Sequence, residues 1–473
     1  MALNAIPGPA LTPSSEKVPL KENYINNFDF LNQYLPDTYE KEFERYGNRT
    51  ISAFLRMVGA ELPTNSDLIK WAEQGRLHTK FVGCTTQGAA GPAPAAVTWL
   101  TGPLAAGNNP VCNFRVGQTV FISEDGGATS NKGLITSVNV GSDDEFTVAY
   151  YEANQNVPAA TGCSVFVYGS EFRKGTEGMI GSLESEDIFL ENKPIIIKDK
   201  YAVNGSDMAQ IGWVEVSTED GATGYLWYLK SEHETRLRFD DYLEMSMIEG
   251  VAAEAGSAAL AELSPGGPGV TTDAGTEGMF EAIETRGNVY SGVPANLAEW
   301  DTIIERLDKQ GAIQENVVFV NRDMSFAIDD MLAAQNSYGQ GGTSYGLFDN
   351  DEEMALNLGF KGFRRGYDFY KSDWKYLNQV TLRGDIDGGK VSGVLVPAGS
   401  TNVYDQILGR NAKRPYLHVR YRASETEDRK YKTWITGSAG GAATSSLDAM
   451  EVHFLSERAL CTMGANNFVI FKG

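Results

Sequence analysis

Residues 224–249 read GYLWYLKSEHETRLRFDDYLEMSMIE, a run with no proline and no glycine after its first position. Those two residues are the strongest helix breakers, so the run is read as one long helix. Glu232 and Arg236, and Glu234 and Arg238, stand four apart with the acid on the N-terminal side, the favoured order for side-chain pairing. Leu226, Leu229, Tyr242, Leu243 and Met247 supply the apolar surface. At 1.5 Å per residue the rod measures about 39 Å. Small residues at 250–260 end it, and the breaker Pro265-Gly266-Gly267-Pro268-Gly269 follows.

Working toward the N-terminus, residues 171–222 hold two strand signals. One runs from Pro194 through Ile195, Ile196 and Ile197 to Val203, and the other alternates around Trp213. Asn204-Gly205-Ser206-Asp207 lies between them, so a long hairpin over 194–216 is expected. A two-stranded ribbon is marginal alone in water and should lie on something, another molecule included. Residues 81–170 carry short β-like runs at 118–123, 134–140, 145–151 and 164–168 between turn residues, with a Gly/Ala/Pro-rich loop at 83–110. They predict a small inserted β-barrel. Residues 36–80 read as helical, with a second short helix capped by Asn65 or Ser66 and stopped at Gly75. Residues 1–35, with Pro7, Pro9, Pro13 and Pro19, read as an extended arm.

Working toward the C-terminus, residues 285–410 read as a mixed α/β domain. Leu297, Trp300, Ile303, Ile304 and Leu307 make an amphipathic stripe, with Asn296 as N-cap and Gly311 as stop. Asn-Val-Val-Phe-Val-Asn at 316–321 signals a buried strand, followed by a helix over 323–335 with Asp323 as cap. Strands are expected at 375–383 and 390–396. Residues 411–473 return to β, with strands at 415–422, 431–436, 447–454 and 466–472 and a turn at 456–461.

The 473 residues carry a net charge of −22, with 42% apolar residues and 22% charged. That composition excludes wholesale disorder, and the acidic balance argues against a free polyanion binder. No run approaches the length of a membrane span. Residues 1–20 show no basic cluster followed by an apolar stretch, so no signal peptide is expected. Acidic residues concentrate at 81–284, whereas 411–473 carries a basic surplus. Opposite-sign regions can set register between copies of one chain; a plain solvated acidic surface is the bland alternative.

Chemistry-bearing motifs are few. The four cysteines and four histidines are scattered and none has zinc spacing. A bridge between Cys112 and Cys163 stays open as one reading. Gly342-Thr343-Ser344-Tyr345-Gly346 matches a nucleophile elbow but sits in a loop. Gly384-Asp385-Ile386-Asp387-Gly388-Gly389-Lys390 matches a phosphate loop, yet Val391 replaces the hydroxyl residue and a strand follows, so it reads as a turn. Asp349-Asn350-Asp351-Glu352-Glu353 lacks full calcium-loop spacing and reads as an acidic loop. Lys361, Arg364, Arg365, Arg420 and Arg422 lie near aromatics; protein contact or a solvated strand face is favoured over nucleic acid.

The order of these parts resembles the major capsid protein of tailed bacteriophages, the HK97-like fold, with the crAss-like or marine podovirus group as the nearest impression. Residues 1–35 resemble its N-arm, 194–216 its E-loop, 224–249 its spine helix, and 296–335 part of its axial domain. Ser456-Glu457-Arg458-Ala459-Leu460 and Asn466-Asn467-Phe468-Val469-Ile470-Phe471 resemble the close of its peripheral domain. The resemblance implies an α+β fold with N-arm, E-loop hairpin, spine helix, axial and peripheral domains, here with a β-barrel insertion. The arm is 1–35, a helical segment 36–80, the inserted β-rich domain 81–170, the E-loop-like hairpin 171–222, the spine helix with part of the peripheral domain 223–284, the axial domain 285–410, and the peripheral strands 411–473.

It further implies a non-enzymatic subunit without cofactor or metal. Such a subunit assembles into pentamers and hexamers of a virion shell around double-stranded DNA. Its partners are neighbouring capsomers and portal, scaffold and decoration proteins, with no membrane. Ile195, Ile196, Ile197 and Trp213 on the hairpin, and Arg364, Arg365, Arg420 and Arg422 as basic partners of the acidic middle, are the contact candidates. Two other readings stand beside this one: an encapsulin-like shell around protein cargo, and an acidic β-rich hydrolase or carbohydrate-binding protein.

Overall fold

The computed structural model describes residues 60–75, 79–86, 92–93, 97–100, 114–125, 129–139, 145–152, 155–156, 162–182, 187–210, 216–217, 223–224, 227–263, 274–311, 313–336, 361–380, 382–384, 386–405, 410–439 and 443–473. The arm at 1–35, the helix expected over 36–58, Trp213 and the loops at 342–346 and 349–353 lie outside them. The fold is mixed α+β. The chain divides into two compact units: one runs to Trp71 and resumes at Glu191, and the other spans Ala72–Leu190.

The first unit is built on two sheets. In one, Ala60–Thr64, Leu417–Arg422, Ala449–Thr462 and Ile195–Asn204 lie in that order, and Lys432–Gly437 also pairs with Ala449–Thr462. Trp227–Glu249 is the long helix. Its Phe239 and Leu243 pack with Ile197, Met450, Val452 and Phe454 of this sheet. One turn further on, Met247 and Ile248 join Phe280, Trp374, Val394, Val396 and Ile470. The helix therefore carries one apolar face across two cores, and each fully buried side chain of this size contributes about 1.5–3 kcal/mol.

The second sheet has six strands in the order Asn288–Ser291, Val469–Lys472, Val391–Pro397, Glu315–Val320, Tyr367–Asp373, Gly362–Arg365. Every residue of Val391–Pro397 is buried. Val394 and Val396 face the cluster shared with the long helix, and Leu395 faces the opposite cluster with Trp300, Ile303, Leu307, Met324 and Ile328. A strand covered on both faces has no solvated side, which is why apolar residues dominate it, with Ser392 the one polar side chain. Leu297–Gln310 starts where Asn296 accepts a hydrogen bond from the Glu299 amide and stops at left-handed Gly311 (φ 70°). Arg322–Asn336 is capped by Asn321, whose Oδ1 accepts from the Met324 amide at 2.8 Å, and not by Asp323.

Several expectations are corrected in this unit. No helix forms over 60–74: Ala60–Thr64 and Ile69–Gln74 are strands. The buried and exposed residues of 69–74 alternate with period two, the strand signature. The strand expected at 375–383 begins instead as a short helix, Lys375–Asn378, with consecutive Tyr376 and Leu377 both buried. Residues 456–461 are not a turn but the interior of the buried strand Ala449–Thr462. Their polar groups find partners there: Ser456 Oγ donates to Lys430 O at 2.6 Å and Arg458 Nε donates to Ser456 Oγ at 2.9 Å.

Of the hairpin expected over 194–216, the first strand is described and residues 211–215 lie outside the described residues. Ile195–Asn204 pairs along its whole length with Ala449–Thr462, from Ile195 opposite Arg458 to Asn204 opposite Ala449. It then enters the helix Gly205–Gln210, and Val216–Ser217 pairs with Thr223–Gly224. A partner some 250 residues away supplies the hydrogen bonds that the sequence leaves unaccounted for locally. A two-stranded ribbon forms where Ile69–Gln74 pairs with Asp187–Asn192.

The second unit is a closed barrel with strands in the cyclic order Cys163–Ser170, Lys80–Thr86, Val97–Leu100, Glu145–Tyr150, Ser130–Asn139, Gln118–Glu124. Two of these strands fall where the sequence reads as helix end or loop. Glycine explains part of the disguise. The register slips between Cys163/Cys84 and Val165/Phe81, and Gly83 in between adopts φ 72°, the geometry of a bulge that a side chain would strain. The core is small and apolar, with Val120, Ile122, Ile135, Phe146, Val148 and Val165 all fully buried.

Candidate functional site

Asn192 ends the ribbon, and its side chain ties that end to two other elements. Its Nδ2 donates to Leu460 O at 2.6 Å and to Glu277 O at 2.9 Å. Its Oδ1 accepts from the Glu277 amide at 2.9 Å and from Thr276 Oγ1 at 3.1 Å. Buried polar groups left unpaired are costly, so this node holds the end of the strand at Asn192 in place. Lys70 and Glu191 add an ion pair at 3.2 Å. Beyond the node, Ile188 is 58% exposed and Phe189 72% exposed. Successive side chains of a strand point to opposite faces, so the ribbon shows bare apolar surface on both.

The sequence-derived contact candidates divide. Ile197 is buried against the long helix, and Ile195 packs between the same cluster and the one shared with the second sheet. Ile196, on the opposite face, is 53% exposed. Of the hairpin candidates with a described side chain, only Ile196 therefore presents surface. Arg364 pairs with Asp368 at 2.9 Å. Arg365 makes a two-pronged pair with Asp301. That contact holds the Asp301 carboxyl below its ordinary pKa, chiefly through the hydrogen bond.

Arg420 Nη1 donates to Pro63 O at 3.4 Å, and Arg422 pairs with Asp67 and reaches Glu457. Around them Arg429 meets Glu457 at 2.6 Å, and Lys430 and Arg458 both meet Glu61. Arg422, Arg429, Lys430 and Arg458 are thus paired with acids of the same chain and Arg420 with a backbone carbonyl, stitching Ala60–Thr64 to the sheet. The sequence shows the cations but not that Glu61, Asp67 and Glu457 converge on them. Asn192 carries no motif at all, and only the pairing of distant strands reveals it.

Among the described residues no group of three or more His, Cys, Asp or Glu side chains is placed to hold a metal ion. No described helix is long and apolar enough to cross a membrane. Cys163 stands opposite Cys84 in the barrel, and burial pushes the Cys163 thiol up to about 11. Cys112 lies outside the described residues.

No protein-family model matches the chain, and no curated protein matches it. Similar solved structures exist. One, from Microbacterium phage Oxtober96, is 9% identical over 94% of this chain and 97% of its own, with a TM-score of 0.39. Another, named as the asymmetric unit of the bacteriophage PhiM1 mature capsid, is 10% identical over 65% of this chain and 78% of its own, with a TM-score of 0.34. The capsid structure of Cyanophage P-SCSP1u is 9% identical over 78% of this chain and 90% of its own, with a TM-score of 0.32. At such identities and scores, function has to be argued from the chain itself.

Proposed function

We propose that the chain is the major structural subunit of a tailed-phage head, of the HK97-like class, forming pentamers and hexamers of a shell that encloses double-stranded DNA. The observation that carries this reading is the ribbon of Ile69–Gln74 and Asp187–Asn192, rooted at Asn192 and bare on both faces at Ile188 and Phe189. A two-stranded ribbon with apolar residues on both sides is poorly stable in water and gains order when laid across a neighbour. Portal, scaffold and decoration proteins are the subunit's expected partners, and its location is the virion.

Electron microscopy of the purified protein tests the proposal. Shells or capsomers, with DNA inside particles recovered from infected cells, are expected. A compact monomer at high protein concentration refutes the shell role, and particles holding protein cargo without DNA refute the head role.

A further inference from the structure

The barrel's outer wall carries a cleft of about 550 Å³ that the shell role leaves unused; Thr119, Lys132, Tyr151, Tyr168, Gly169 and Glu171 are among the residues that line it. Thr119 is its floor. The residue is 5% exposed, and its Oγ1 is buried without a hydrogen-bond partner among the described residues. Gly169 stands opposite Thr119 in the strand pairing, and a Cβ there would come within 3.1 Å of that hydroxyl. With glycine at 169 no side chain crowds the hydroxyl. A hydroxyl taken out of water without a partner is costly, and a ligand group that pairs with it relieves the cost.

The walls define the ligand's chemistry. Tyr151 and Tyr168 leave about half of their surface exposed. The Tyr151 hydroxyl donates to Glu171 Oε2 at 2.6 Å, which raises the phenol's pKa together with burial, the larger cause. Lys132 Nζ stands 5.9 Å from the Tyr168 ring centre. Glu152 and Glu171 repel an anion. Lys132 at the rim and the engagement of Glu171 by Tyr151 disfavour a cation. What remains is a neutral molecule with an apolar face for the rings and hydroxyls for Thr119 and the carboxylates. We propose that this cleft binds a neutral saccharide unit, its C–H face stacked on a tyrosine ring and one hydroxyl bonded to Thr119 Oγ1. This site does not depend on the shell assignment.

The test uses the full-length protein and saturation-transfer NMR with methyl glucoside, methyl galactoside and N-acetylglucosamine, with n-butylammonium as the cationic comparison. Binding of at least one saccharide is expected, with affinity lost about tenfold, a tenth of the binding constant, in each of Thr119→Val and Tyr168→Ala. Gly169→Val should abolish it by filling the floor. Val82→Ser, at an exposed barrel position that does not line the cleft, should leave it unchanged. A one-dimensional proton spectrum with dispersed methyl signals shows that each variant is folded. No transfer to any of the three saccharides overturns the proposal. So does binding insensitive to both Thr119→Val and Tyr168→Ala, or preferential saturation of n-butylammonium.

Discussion

Acidification should weaken the first unit through His418. This side chain is 3% exposed, and its Nδ1 donates to Pro415 O at 3.2 Å, which fixes the neutral tautomer with the proton on Nδ1. Burial, and then the charges of Arg420 and Arg414, push its pKa from the ordinary 6.5 down to about 4, against the weaker opposing pull of the Pro415 carbonyl. In the unfolded chain the imidazole takes up a proton below pH 6.5, while in the folded chain it stays neutral until pH approaches 4. The unfolded state therefore binds more protons throughout that window. Stability is intact above 6.5 and falls as pH drops, by about 1.4 kcal/mol per unit. Between pH 7 and pH 5 the loss is about 2 kcal/mol, and it levels off below pH 4.

His418→Gln removes the titration while keeping a side-chain amide donor for Pro415 O. Urea unfolding of unassembled subunits at pH 7 and pH 5 reads the effect as the change in midpoint for wild type minus that for the variant. Other titrating groups cancel in that difference. A proton-NMR titration of the His418 ring in the folded wild type supplies a second readout should the variant fold poorly. Parallel loss of stability in wild type and His418→Gln, or a ring titrating near 6.5, would refute the reasoning.

Other expectations follow from the same geometry. Asn192→Ala strands the buried Leu460 and Glu277 carbonyls and should cost about 3 kcal/mol in urea unfolding; a loss under half of that means the node is redundant. Ile188→Asp combined with Phe189→Asp should leave subunit stability within about 0.5 kcal/mol of wild type yet abolish particles in sedimentation velocity, and normal assembly would show that the ribbon faces are not contact surface. At pH 8 the Cys84, Cys163 and Cys461 thiols should resist iodoacetamide until the protein is unfolded, because burial holds Cys163 near 11 and Cys461 near 12; mass spectrometry of native and unfolded samples decides. Joining Gln74 to Asp187 by a short glycine linker removes the barrel and should leave a folded first unit by circular dichroism, with global unfolding as the contrary result.

What could be read from the sequence was what local rules decide. Leu297–Gln310 was legible in full because its cap, its stripe and its glycine stop all lie within one window of the chain. The long helix was legible for want of breakers, Glu315–Val320 because of its Val-Val-Phe-Val run, and Val391–Pro397 because apolar residues dominate it. The errors share a different cause. Ser456-Glu457-Arg458 looks like a turn because its charge is visible while its partners, Arg429 and Glu61, are distant in sequence. Ile195–Asn204 looks unsupported because its partner strand lies near the far end of the chain. At the candidate site, the alternation of Ile195, Ile196 and Ile197 does foretell that only one faces out. The arginine partners and the Asn192 node depend on tertiary placement that no window contains.

The strand Ala449–Thr462 carries Ile195–Asn204 along one edge and both Lys432–Gly437 and Leu417–Arg422 along the other. Val469–Lys472 likewise stands between Asn288–Ser291 and Val391–Pro397. Both sheets thus wait for members that are translated after their partner strands, so the nascent chain must hold its earlier strands unfinished until these emerge. The barrel, whose strands all lie between Lys80 and Ser170, can close while the rest is still being synthesised. Arrested-chain proteolysis would then find a protease-resistant core early and a second one only once Val469–Lys472 has emerged.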